Sequence, residues 1–216
     1  MIYFALFACT PSTTTYKGIN VYNYMPLDGQ RSWSYANEES INSEDTGTSS
    51  SWNTDVVKIS EERVDNMDLA TLEYQEDSGS GEEGTPLFRV TWSSDSMNGI
   101  IIHGYEIIGE EPVVLDPHVQ ITTAQSFTES TIETSTNVGD FTATFEGIEV
   151  CPNRWVSEND EPWECAHLNI QGPDSAPFIG DWWTANTWGT SIFNLSSGPL
   201  SSNQSWVLTN TDWEPN

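Results

Sequence analysis

Apolar and polar residues alternate with a period of two through most of this chain. Phe141, Ala143 and Phe145 alternate with Thr142 and Thr144, Ile148 and Val150 continue the run, and Ala166, Leu168 and Ile170 repeat it. Such spacing puts the apolar side chains on one face of a pleated strand. Leu87 to Trp92 and Ile100 to Ile108 read as a hairpin, with Asn98-Gly99 supplying the positive-φ residues of a tight connection. Val113 to Leu115, Val119 to Ile121, Phe127 to Glu133, Ile192 to Leu195 and Trp206 to Leu208 extend the antiparallel series. Only Ser60 to Tyr74 can be argued as a helix, and Asp65-Asn66-Met67-Asp68 in its middle suits a turn better. Ser40 to Ser51 and Glu76 to Gly84 are polar and rich in Ser and Gly, and read as loops. The expected fold is all-β: a single antiparallel, curved sheet, either an incomplete barrel or a sandwich, with long acidic loops.

The chain's beginning breaks this pattern. Met1 to Ala8 is an uncharged apolar stretch that stops at Cys9 and gives way to Thr10-Pro11-Ser12-Thr13-Thr14-Thr15. It is far too short to cross a bilayer as a helix. It resembles the end of a bacterial lipoprotein signal peptide, which places Leu three residues before the acylated cysteine and a small residue just before it, as Leu6 and Ala8 stand here. Phe7 is bulkier than that pattern usually has, and the basic segment expected upstream is missing. The resemblance implies that residues 1–8 are a truncated signal peptide, that Cys9 carries lipid, and that 9–20 form a tether. Residues 21–216 would then be a single β-rich domain, an ordinary size for one core.

A second resemblance lies in Tyr24-Met25-Pro26-Leu27-Asp28-Gly29-Gln30-Arg31-Ser32-Trp33-Ser34-Tyr35. Its pattern of Tyr-x-Pro-Leu, a Gly two residues on, then Trp-x-Tyr is similar to one in a loose group of bacterial lipoproteins and exported proteins of unknown function. In that group the motif opens the first strand of a curved antiparallel sheet. Asp181-Trp182-Trp183 and Trp188-Gly189-Thr190 resemble the group's final hairpin. The likeness implies a fold and no chemistry. The residues agree with it, since Pro26 suits a strand start, Gly29 a turn, and Trp33 and Tyr35 share one face.

Composition narrows the partners. There are 33 Asp and Glu against six Lys and Arg, a formal charge of −27. Without a basic run, the usual nucleic-acid mode, in which cations displace phosphate counterions, is excluded. A solvated, salt-adapted surface accounts for the acidity more simply than specific calcium sites do. Ten Trp and 36% hydrophobic residues mark a folded chain rather than a disordered acidic one. With Cys9 lipidated, Cys151 and Cys165 remain as an even pair at the ends of a hairpin loop, neither in metal-ligand spacing; a disulfide between them points to an oxidising compartment.

Motifs for chemistry are scarce. No nucleophile elbow, phosphate loop, dinucleotide fingerprint or His-Glu-x-x-His occurs. His103 lies inside an apolar strand, His118 in Asp116-Pro117-His118, and His167 beside Cys165; a triad of a Ser with His118 and Asp116 is conceivable, but no Ser is singled out. Carboxylates are so numerous that their pairing loses diagnostic value. Trp182, Trp183 and Trp188 are the candidate ligand-binding residues, because adjacent Trp182 and Trp183 must point to opposite faces of a strand. The expectation is a non-enzymatic protein of the bacterial cell envelope, anchored in the outer rather than the inner membrane through lipid on Cys9. It would hold an apolar or lipid-like ligand in its curved sheet, or present a binding surface, without metal or cofactor. The alternatives are a carbohydrate-binding module built on exposed Trp, and a hydrolase using a carboxylate acid and base.

Overall fold

The structure is a computed structural model that describes residues 24–25, 27, 32–41, 48–77, 84–123, 130–152, 164–186, 189–195 and 204–211. Cys9, the expected tether and Trp188 lie outside these residues. Twelve strands form one antiparallel sheet: β1 Ser32–Ile41, β2 Thr48–Val64, β3 Met67–Glu76, β4 Thr85–Asp95, β5 Gly99–Ile107, β6 Val113–Gln120, β7 Ser130–Thr136, β8 Gly139–Val150, β9 Glu164–Gln171, β10 Gly180–Ala185, β11 Gly189–Leu195 and β12 Gln204–Thr211. Their order is β6-β5-β4-β3-β2-β1-β12-β11-β10-β9-β8-β7. Two arms of six strands are therefore joined where β1 pairs with β12. The sheet curls into a nearly closed barrel with an unsealed seam between β6 and β7.

Period-two patterning builds the core. Ala70, Leu72 and Tyr74 on β3, Phe88, Val90 and Trp92 on β4, and Phe141, Ala143 and Phe145 on β8 all point inward and are buried. Trp33 and Tyr35 share the inner face of β1, as expected. A twelve-stranded sheet closed in a round would enclose a wide lumen. Here aromatic side chains of the two arms meet instead. Trp206 lies 4.6 Å from Phe193 and 6.0 Å from Tyr74 between ring centroids, and Trp92 lies 5.7 Å from Trp182. Phe178, in the connection before β10, stacks on Phe141 at 5.7 Å and fills in beneath Tyr105. A void of about 10 Å³ beside Tyr35 and Phe193 is no larger than one water needs. Among the described residues the inner face is packed with buried side chains around that small void.

Several sequence expectations need correction. Ser40 and Ile41 end β1, and Thr48 to Ser51 begin β2, a 17-residue strand where a loop was expected. Asp65 and Asn66, with φ of 50° and 66°, make the tight turn between β2 and β3, as the turn reading of Asp65-Asn66-Met67-Asp68 expected, so this segment needs no correction: Ser60 to Tyr74 is hairpin and not helix. Between β4 and β5 only Gly99 takes positive φ (84°). The loop is held by Asp95, whose Oδ1 accepts from the amides of Met97 and Asn98 at 2.7 Å each. Val113 to Leu115 and Val119 to Gln120 belong to one interrupted strand, β6, and Ile121 lies just past its end. The Trp182 hairpin is followed by β12 and so is not the last element.

Candidate functional site

A well-formed concavity lies on the outer face of β2 to β6. It arises from the residue sizes in three cross-strand rows. The middle row is Thr71, Thr91 and Gly104, paired across β3, β4 and β5. These small residues form a floor, and the Thr71 and Thr91 hydroxyls lie 3.1 Å apart. Gly104 is demanded by its neighbour: a Cβ there would stand 2.5 Å from the carbonyl oxygen of Val113. Leu69 begins one side wall, and Arg89 and Glu106, paired across β4 and β5, form the other, with Glu73 paired to Arg89 behind them. The groove has a volume of about 490 Å³, within the roughly 300–1,000 Å³ range of small-molecule sites.

The ends of the groove are aliphatic. Ile59 and Val64 of β2 and Met67 of β3 line one end, and Pro112, Val113 and Val114 the other. Ile59, Val64 and Val114 are unusually exposed for their type, at 45%, 42% and 69%. Ile59 is thrust out by a register shift between Lys58 and Ser60.

Two histidines enter through facing irregularities. β4 pairs Thr91 with Gly104 and Trp92 with Ile102, leaving His103 as an extra residue. β6 pairs Val114 with Gly104 and Val119 with Ile102, so residues 115–118 form an excursion opposite His103. The two imidazoles come together at 4.3 Å between centroids. His118 Nδ1 lies 2.8 Å from the carbonyl of Leu115, so that nitrogen carries a proton, and in the neutral ring Nε2 keeps its lone pair. His103 Nε2 lies 2.8 Å from Ser93 Oγ. Burial, and then the neighbouring His118, push the His103 pKa down to about 4. His103 is therefore neutral in ordinary buffers.

Ser93 and His103 make a hydrogen-bonded pair with no route to a substrate on the serine side. Ser93 is completely buried and does not line the groove. The conceivable triad of His118 with Asp116 is not assembled, because His118 uses its Nδ1 on the Leu115 carbonyl. Arg89 is fully engaged: its Nε and Nη2 reach Glu73 Oε2 at 2.6 Å and its Nη1 reaches Glu106 Oε2 at 2.9 Å. These hydrogen bonds raise the guanidinium pKa further.

The tryptophans lie elsewhere. Trp182 is buried in the core, stacked on Phe193 at 4.8 Å, with its indole N–H donating to the Phe178 carbonyl. Trp183 points outward, so the two do take opposite faces. Its ring is stacked on His167 at 4.3 Å, packs against the buried pair Cys151 and Cys165, and donates to Glu149 Oε1 at 2.5 Å. Those two cysteines are joined by a disulfide with Cα atoms 5.1 Å apart. Cys165 sits opposite Glu149, so the bridge runs diagonally from just beyond the end of β8. His167 is flanked by Glu149 on Nδ1 and Asp181 on Nε2, which puts the carboxylates on opposite sides of the ring. No group of three metal-ligating side chains converges among the described residues.

The groove escaped the sequence reading because its floor is defined by register, which pairs residues 71, 91 and 104 across more than 30 positions of chain. The legible signals were polar His103 within an apolar run and Asp116-Pro117-His118 within a strand. Both mark bulges.

No family model matches the chain, and no curated protein is similar to it. Among solved structures, the crystal structure of a "putative lipoprotein" from Parabacteroides distasonis aligns over 88% of this chain and 98% of its own, at 10% identity and a TM-score of 0.33.

Proposed function

We propose that the protein is a non-enzymatic binding domain of the bacterial cell envelope, anchored in the outer membrane by lipid on Cys9, and that its ligand occupies the outer groove. The observation that carries the reading is the groove itself: small residues paired across three strands, ringed by exposed aliphatic side chains that a soluble surface has no other reason to gather. The ligand reading moves from the inner face of the sheet to the outer one because aromatics fill the interior. A buried disulfide supports an oxidising compartment.

Native mass spectrometry of protein purified from the envelope tests this directly. Wild type should carry a small apolar adduct, and Thr91→Phe, which plants a ring on the groove floor, should lose it. A wild-type mass with no adduct, or an adduct that persists in Thr91→Phe, overturns the groove as the binding site. Cys9→Ser should release the protein from the membrane fraction and abolish acyl labelling; an unlabelled wild type would refute the anchor.

A further inference from the structure

We infer that the groove is selective for an aliphatic amine: an alkyl chain ending in a protonated nitrogen. This rests on the groove being the binding site, and adds the chemistry of what it takes. The groove's polar inventory is rich in acceptors. Among the described residues the guanidinium of Arg89 is the fixed cation lining it, and it is already engaged by Glu73 and Glu106. Glu106 spends Oε2 on Arg89, and its Oε1 has no partner among the described residues. His118 spends its proton on Leu115 and keeps Nε2 as an acceptor. Asp65 adds a carboxylate at the rim, beside Val64 and Met67.

The charge balance points the same way. Asp65, Arg89 and Glu106 sum to one negative charge, and Glu73 behind them adds another. A carboxylate head would face this net negative charge and be repelled. An ammonium offers three donors to the waiting acceptors. The walls exclude a third class. Ile59, Val64, Met67, Leu69, Val113 and Val114 are all aliphatic. Tyr105 also borders the groove, but its ring is buried against Phe178, so among the described residues no phenol or indole presents the flat face on which sugar rings stack. An alkyl chain fits such walls, and burying it supplies affinity in proportion to the area removed from water.

The experiment is isothermal titration of the full chain with octylamine, 1-octanol and octanoate at pH 7.5 in 1 M NaCl. That salt shortens the screening length to about 3 Å, so that the diffuse attraction of a −27 chain for any cation is suppressed. Octylamine should bind about tenfold or more tightly than octanol, and octanoate more weakly than either. Glu106→Gln should erase the preference for amine over alcohol while leaving octanol affinity unchanged. Thr91→Phe should abolish binding of both. Equal affinity for octylamine and octanol, abolished together by Thr91→Phe, would overturn the amine assignment and leave the groove standing. Amine binding that survives Thr91→Phe, or no binding of any probe, would overturn both.

Discussion

Asn137 and Asp116 pair across the barrel's seam almost as two strand residues would. The Asn137 amide donates to the Asp116 carbonyl at 2.9 Å, and the Asp116 amide donates back to Asn137 Oδ1 at 3.0 Å. The Asn137 side-chain amide also reaches the Val114 carbonyl at 2.9 Å. One turn residue between β7 and β8 thus stands in for the ladder that β6 and β7 do not form. The ladder fails for a local reason: Pro117 has no N–H to give, and residues 115–118 leave the regular path. The same excursion carries His118 into the groove, so closing the barrel and placing His118 depend on one short segment.

Asn137→Ala should therefore remove two side-chain hydrogen bonds at an exposed site and cost about 1–2 kcal/mol. Hydrogen exchange at the Asp116 amide should quicken well beyond what that global loss produces. Unchanged exchange at Asp116 would show that the seam is held by other contacts.

His103 makes stability depend on pH. Its folded pKa of about 4 lies below the ordinary 6.5, so the unfolded chain binds a proton that the folded chain refuses. Its contribution is intact above pH 6.5 and is lost as pH falls toward 4, a loss of order 2 kcal/mol. Acidification also discharges carboxylates and relieves repulsion, which works in the opposite direction. The comparison with His103→Gln isolates the histidine. Urea unfolding at pH 6.5 and 5 should show a smaller drop, or a gain, in the variant, and parallel behaviour of the two proteins would refute this origin.

Reduction of the bridge between Cys151 and Cys165 should lower stability by roughly 2–4 kcal/mol without dissolving the sheet. β8 and β9 remain paired by their own ladder from Thr142 to Val150. Peptide mapping without reduction should recover one linked pair. Two alkylatable thiols in protein isolated from the envelope would contradict both the bridge and the oxidising location.

A formal charge of −27 implies strong self-repulsion, and three of the six cations, Lys58, Arg63 and Arg89, are committed to acidic neighbours. The melting temperature should rise by several degrees between low and molar NaCl. Millimolar calcium should add no more than its ionic strength. A saturable, calcium-specific rise would instead reveal binding sites.

Fold class was legible because the period of two is a backbone property, visible wherever one face is buried: Phe141 to Phe145 and Ala166 to Ile170 sit in β8 and β9 as the pattern demands. β2 was hidden because its face is mixed. Val56 is buried, but Ser60, Glu61 and Glu62 lie on an exposed stretch with no apolar alternation to report a strand. That Trp182 and Trp183 take opposite faces was legible, yet which of them faces outward was not, and the stacking of Trp183 on His167 depends on β9 and β10 pairing those two positions. The groove was least legible. Thr71, Thr91 and Gly104 say nothing singly, and only their alignment makes a floor.

The junction of β1 with β12 also sets when this protein can fold. Each arm is a run of hairpins whose contacts are local, so either can begin to form early. The pairings that unite them, Trp33 with Thr211 and Ala36 with Val207, span nearly the whole chain. A ribosome must release the last strand before the first has its second neighbour. Until then β1 is an unpaired edge. Were the chain exported as an extended thread, as the proposed envelope location requires, that delay would be useful: the topology withholds the finished barrel until the far end has arrived.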